Sequence, residues 1–197
     1  MSNTGIIYGV NGPVIYLKGD SGFKISEMVY VGPEHLVGEI IGLKKGMTTV
    51  QVFEETTGLK PGDTVTGPGD AISVLLGPGI IHNIFDGIQR PLEEIAKASG
   101  KYISRGVSVD SLDTEKKWNT HITVKEGDVV GPGSIIAETQ ETDSILHKSM
   151  VPPTLTEATV IHAAPDGEYT ILEPIVTIQF ADGSTKDLAL AQKWPIR

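Results

Sequence analysis

The chain has 197 residues, of which 39% are hydrophobic and 21% charged, a composition typical of folded globular proteins. It contains no cysteine, which excludes disulfide bonds and thiolate metal sites and fits a reducing cytoplasm. The formal net charge of −9 argues against nucleic acid as a partner, and no apolar run is long enough for membrane insertion.

Residues 1–72 consist of short apolar segments separated by glycine and proline, a pattern typical of all-β proteins. Asn11-Gly12 predicts a tight turn, and Lys44-Lys45-Gly46 predicts a hairpin loop. A small closed barrel is expected over residues 1–72, because closure removes unpaired strand edges. The predicted strands are residues 4–10, 14–17, 27–31, 37–43, 47–53, 64–66 and 72–76.

Residues 73–110 are predicted to be a linker that contains one short helix. Gly77-Pro78-Gly79 interrupts the sheet pattern, and Pro91 is suited to the first turn of a helix over residues 91–99. Gly100 is expected to end this helix. Its spacing predicts a buried stripe made of Leu92, Ile95 and Ala96.

A second β region is predicted over residues 111–190, and residues 191–197 follow it. Asp182-Gly183 predicts a tight hairpin. The whole chain is therefore expected to be mainly β, with a β-barrel, a helical linker and a β-sandwich-like domain of the barrel-sandwich hybrid type. The strands predicted here are residues 120–124, 134–139, 158–163, 169–172 and 174–180, and residues 127–133 predict a turn, a short strand and a second turn.

The sequence suggests no catalytic, cofactor-binding or metal-binding residue. Glu54 and Glu55, read as adjacent strand residues, would point to opposite faces and could not share a proton. The histidines lack the spacing of a helical metal site, and no G-x-S-x-G motif is present. The five histidines are His35, His82, His121, His147 and His162.

Two further motifs are interpreted as structural. Asp86 and Arg90 are expected to form a turn with a salt bridge that positions the linker. Gly77-Pro78-Gly79 is not a phosphate loop, because no lysine followed by serine or threonine comes after it. Trp118 and Trp194 are interpreted as core or junction residues.

Four stretches resemble the catalytic A subunit of A-type/V-type rotary ATPases. They are Val52 to Gly62, Leu76 to Leu92 apart from residues 82–84, His147 to Pro153, and Gln192 to Arg197. The β-rich region between Arg90 and Trp194 is similar to the insertion that distinguishes this type of subunit from its relatives. The resemblance implies that residues 191–197 begin the link to a nucleotide-binding domain. The phosphate loop of that domain, which this chain lacks, would follow after Arg197.

The resemblance also implies a function. The barrel would join neighbouring A and B subunits in a ring, and the insertion would contact the peripheral stalk. ATP and magnesium would be bound by the full-length subunit but not by this fragment, which would be inactive alone. The complex would be a cytoplasmic, membrane-peripheral sector coupled to proton or sodium transport.

An alternative hypothesis comes from Glu126 to Glu138, which resembles half of a biotinyl or lipoyl carrier domain. Such domains carry a modified lysine at a hairpin tip, usually beside methionine. Lys148 is followed by Ser149-Met150, which departs from that pattern. A carrier or another β-sandwich binding module is therefore the second interpretation.

Overall fold

The computed structural model describes residues 3–19, 21–81, 83–100, 105–107 and 109–196, apart from the side chains of residues 98 and 99. The chain folds into two compact units. The first unit comprises Met1–Val74, Glu93–Val109 and Pro195–Arg197. The second unit comprises Leu75–Leu92 and Asp110–Trp194.

Six strands of the first unit form a closed antiparallel barrel, in the order β1, β2, β5, β4, β3, β6, with β6 pairing back to β1. Closure leaves no strand edge unpaired. The predicted amino-terminal barrel is confirmed. Its strands are β1 (Asn3–Asn11), β2 (Val14–Lys18), β3 (Met28–Val31), β4 (Leu36–Lys44), β5 (Met47–Val52) and β6 (Thr64–Gly67).

The barrel interior is filled by the alternate residues of each strand. In β5, Thr48, Val50 and Val52 face inwards and are buried, whereas Gln51 is exposed. Each large aliphatic side chain buried in this way stabilises the fold by about 1.5–3 kcal/mol. The barrel core consists of Ile7, Ile15, Leu17, Phe23, Val29, Val31, Leu36, Ile40, Val50, Val52 and Val65.

Two β-bulges present large side chains on the outside of the barrel. One bulge places Tyr8 of β1 outward at 58% exposure, and the other does the same for Ile41 of β4 at 43%. Between these two strands lie β2 and β5, where Tyr16 pairs with Thr49. These four adjacent strands therefore share an outer surface with exposed apolar residues.

One helix, α1 (Leu92–Ser99), follows the barrel strands. The Lys97 ammonium lies 2.5 Å from the Glu94 carboxylate, and the Gly100 N–H donates to the Ala96 carbonyl. Gly100 has a φ of 75°, a conformation that favours glycine at a helix end. The predicted stripe is only partly correct, because Ile95 is fully buried but Ala96 is exposed.

The second unit contains two four-stranded antiparallel sheets, with the orders β11-β10-β8-β13 and β15-β14-β12-β9. A two-stranded sheet pairs β7 (Ser73–Leu76) with β16 (Gln192–Pro195). The remaining strands are β8 (Trp118–Ile122), β9 (Val129–Val130), β10 (Ile135–Thr142), β11 (Ile145–Met150), β12 (Ala158–Ala163), β13 (Gly167–Tyr169), β14 (Val176–Gln179) and β15 (Thr185–Leu188).

One apolar core lies within the second unit and draws on both four-stranded sheets. Ile136 of β10 and Ile178 of β14 are both fully buried in it. The mainly β fold with a barrel and a sandwich-like domain is thus confirmed. The predicted hairpin at Asp182-Gly183 is also present, since Gly183 donates to the Phe180 carbonyl before β15 begins.

Some elements differ from the sequence-based expectation. The seventh predicted strand, residues 72–76, pairs with β16 and lies outside the barrel order. β11 and β16 were not predicted, since neither shows a clear apolar alternation. In the part of the chain that the structure describes, no helix is long and apolar enough to cross a membrane.

Candidate functional site

The Gly77-Pro78-Gly79 motif forms a loop that packs closely within the second unit. A β-carbon on Gly77 would lie 2.6 Å from the Ala191 β-carbon, so only glycine fits there without displacement. Gly79 has a φ of 102° and lies against the Trp118 ring, where an added β-carbon would be 3.4 Å from Cζ2. These contacts account for the two glycines in structural terms.

Glu141 of β10 holds the same loop by its backbone. Its Oε1 accepts hydrogen bonds from the N–H groups of Gly79 at 2.8 Å and Ile81 at 2.9 Å. Only 3% of the Glu141 side chain is exposed. A buried carboxylate requires such donors, because desolvation of an unpaired charge is costly.

Replacing Gly77 by alanine is expected to lower the free energy of unfolding of the second unit by about 1–3 kcal/mol, because the new methyl group overpacks against Ala191. The double variant Gly77→Ala/Ala191→Gly should recover part of this loss. Denaturant unfolding followed by tryptophan fluorescence measures the free energy of unfolding of both variants. A single Gly77→Ala variant as stable as the parent would contradict the packing argument.

Asp86 and Arg90 form the predicted turn with a salt bridge. The Arg90 Nε donates to Asp86 Oδ2 at 2.7 Å, and Asp86 Oδ1 accepts the N–H groups of Ile88 and Arg90. Burial acts to raise the pKa of Asp86, but these donors and the guanidinium outweigh it, so the pKa is lowered. The motif is a structural turn.

Glu54 and Glu55 follow β5 and do not lie within it. The prediction that they are adjacent strand residues with side chains on opposite faces was therefore wrong. Glu54 Oε2 accepts the N–H of Gly106 at 3.0 Å. Arg105 donates to the carbonyls of Thr57 and Glu55, and its Nη2 lies 3.2 Å from Oε1 of Glu34. These contacts fix the segment after α1 to the loops of the first unit.

Three histidines of the second unit lie close to carboxylates that are distant in sequence or on a neighbouring strand. His121 Nδ1 lies 2.7 Å from Asp166, while His147 and His162 are each 3.6 Å from a glutamate, Glu141 and Glu126. Within the described ranges, no group of three potential ligands could hold a metal ion.

The other two histidines belong to different parts of the chain. His35 has its ring centroid 6.3 Å from that of Tyr30 in the first unit. His82 lies outside the described residues.

His121 and His147 are expected to affect stability in opposite directions with pH. The hydrogen bond and charge of Asp166 raise the pKa of His121, so its contribution is present below the unfolded pKa of about 6.5 and is lost as pH rises through the folded pKa. Burial lowers the pKa of His147 despite Glu141, so stability falls as pH drops below that unfolded value.

His121→Gln should therefore lower the free energy of unfolding more at pH 5.5 than at pH 8.5. His147→Gln should instead make the free energy of unfolding fall less than in the parent protein when the pH is lowered. Denaturant unfolding of both variants across this range, with the parent protein as control, tests the assignment. Equal pH slopes for the two variants would contradict it.

Lys148 does not occupy the position expected of a carrier lysine. It lies within β11, pairs across the sheet with Glu138 of β10, and has its Nζ 3.2 Å from the Glu138 carboxylate. The connection between β10 and β11 consists of Asp143 and Ser144, neither of which is a lysine. The geometry therefore favours a structural role for Lys148.

The two tryptophans differ in environment. Trp118 is 7% exposed, belongs to the core of the second unit, and is covered by the Lys116 ammonium 3.8 Å from the ring centroid. Trp194 is half-buried in β16. The prediction of a core position is confirmed for Trp118, and the junction role of Trp194 stays a prediction.

The negative charge is concentrated in the second unit. The first unit has nine Lys and Arg against ten Asp and Glu, and the second has seven against fifteen. The second unit therefore carries −8 of the formal charge of −9. Such a surface favours partners with basic patches.

Two family models match the two units. The model described as "ATP synthase alpha/beta family, beta-barrel domain" matches residues 7–69, within the closed barrel. The model described as "ATPsynthase alpha/beta subunit barrel-sandwich domain" matches residues 109–197. The chain belongs to the ATP synthase alpha/beta family.

Relatives in this family match over 98–100% of the chain. It is 47% identical over 197 residues to the V-type ATP synthase alpha chain of Halothermothrix orenii. It is 45% identical over 199 residues to the A subunit of the A-type ATP synthase of Methanopyrus kandleri. It is 46% identical to the corresponding Pyrococcus abyssi protein over 98% of the chain.

The chain spans 33% of the length of the first two relatives and 19% of the third. The relatives are V-type ATP synthase alpha chains and A-type ATP synthase A subunits, and the chain matches their amino-terminal region.

Proposed function

We propose that this chain is the non-catalytic amino-terminal region of the A subunit of a rotary ATPase. In the full-length protein, ATP hydrolysis or synthesis is coupled to proton or sodium transport, and ATP and magnesium are bound outside this region. The supporting observation is the 47% identity over all 197 residues to a V-type ATP synthase alpha chain. The region is cytoplasmic and peripheral to the membrane, and alone it is inactive.

The barrel assembles the ring of A and B subunits through its outer face. Supporting this, Ile6, Tyr8 and Ile41 are exposed on the outside of the barrel at 49%, 58% and 43%. Large apolar side chains on a rigid sheet are suited to becoming the buried centre of a protein interface. The first unit has a formal net charge of only −1, so long-range charge attraction contributes little to this contact.

Ring assembly tests this part of the proposal. The double variant Tyr8→Asp/Ile41→Asp in the full-length protein should weaken assembly with B subunits at least about tenfold, because interface burial would desolvate the new carboxylates. Val129→Asp, at a 65% exposed apolar position of the second unit, is the matched control. Mass photometry of mixtures of A and B subunits measures the fraction that assembles into rings. Normal assembly of the double variant would refute the barrel interface.

The second unit contacts the peripheral stalk. Its formal charge of −8 supports a basic partner surface, which this charge would orient during association. The association rate between the complex and its stalk should therefore fall as salt increases over about 0.05–0.5 M. A rate independent of salt would exclude electrostatic steering by this unit.

A further inference from the structure

The loop formed by residues 77–81 is held at several points within the second unit, although it has no strand pairing of its own. Its first glycine abuts Ala191, its second lies on the Trp118 ring, and Asn83 Nδ2 donates to the Gly79 carbonyl at 2.6 Å. The chain enters the second unit at Leu75, two residues before this loop.

Glu141 supplies the polar part of this attachment. Both of its loop hydrogen bonds use the single atom Oε1, and the donors are backbone N–H groups two residues apart. Oε2 lies 3.6 Å from Nδ1 of His147 on the adjacent strand β11. Because the donors are backbone N–H groups, these hydrogen bonds do not depend on the side chains of the loop. The carboxylate therefore fixes the path of the main chain.

We propose that Glu141 is a positioning residue whose carboxylate fixes the loop of residues 77–81 to strand β10. The loop and the sheet that contains β10 therefore move as one body. With both hydrogen bonds in place, the position of the loop follows that of β10. Without the carboxylate, the loop would keep its apolar contacts to Ala191 and Trp118 but lose the two hydrogen bonds that set its position. This device is local to the second unit and does not depend on ring assembly.

Amide hydrogen exchange of the 197-residue chain, measured by NMR, tests whether Glu141 fixes this loop. Glu141→Ala should raise the exchange rates of the Gly79 and Ile81 amides at least about tenfold, while the amides of β12 and β14 keep their parent rates. Glu141→Gln preserves the shape of the side chain and a neutral acceptor, so it should give a smaller increase at the same two amides.

Glu138→Ala is the matched control, because Glu138 lies on the same strand and interacts with Lys148 instead of the loop. Glu138→Ala should leave the exchange rates of the Gly79 and Ile81 amides unchanged. The proposal is overturned if both Glu141 variants keep parent exchange rates at these two amides. It is also overturned if the rates rise only together with those of the whole second unit, since the carboxylate would then support the fold and not the loop.

Discussion

Replacing Ile178 by alanine is expected to lower the free energy of unfolding of the second unit by about 2–5 kcal/mol. Ile178 lies at the centre of β14, is fully buried, and pairs with Val160 and Lys186 on the two flanking strands. Removal of its side chain leaves a cavity in a core where the neighbouring strands are fixed by the ladder. The cost therefore includes lost burial and lost packing.

Denaturant unfolding followed by tryptophan fluorescence measures this effect, because Trp118, one of the two tryptophans, belongs to the same core. Ile161→Ala provides the matched control, since Ile161 lies on the adjacent strand β12 but is 42% exposed. We expect the control to change stability by less than about 0.5–1 kcal/mol. Similar losses for the two variants would show that Ile178 is not a core position.

Replacing Glu27 by alanine is expected to destabilise the first unit by about 1–3 kcal/mol. The Glu27 side chain lies in the barrel unit with the residue only 2% exposed. It accepts the N–H groups of Lys24 at 2.8 Å and Gly69 at 3.1 Å, and the Asn3 amide lies 3.4 Å away. Its loss would leave these donors without their carboxylate acceptor.

The fit around Glu27 adds to this expectation. A β-carbon on Gly67 would lie 2.5 Å from Glu27 Oε1, so the carboxylate fills the space that this glycine leaves. Glu55→Ala is the control, because Glu55 is exposed and its side chain accepts a local hydrogen bond from Thr57. Four of the five tyrosines belong to the first unit, so tyrosine near-UV circular dichroism during unfolding reports mainly on that unit. Equal stability of the two variants would contradict the buried role of Glu27.

The barrel could be predicted from the sequence because its determinants are local. Gly12 and Gly46 both have positive φ angles at the turns that the sequence indicated, and β5 shows the expected inward and outward alternation. Glycine and proline between short apolar runs thus defined most strands to within a few residues. β11 was missed because its exposed residues Ile145 and Leu146 precede polar ones without alternation.

The contacts of the candidate sites depend on tertiary structure and left no signal in the sequence. Asp166 lies 45 residues from its partner His121, and Glu141 lies 62 residues from Gly79. No spacing rule connects such pairs. Asp86 and Arg90 were predicted correctly because a single turn brings residues four positions apart together by itself.

Calorimetric titration of Mg-ATP into the 197-residue chain is the most direct test of the central claim, that this region supports assembly while nucleotide is bound elsewhere. We expect no saturable heat of binding at millimolar nucleotide. Saturable binding with micromolar affinity would contradict the proposed division of function.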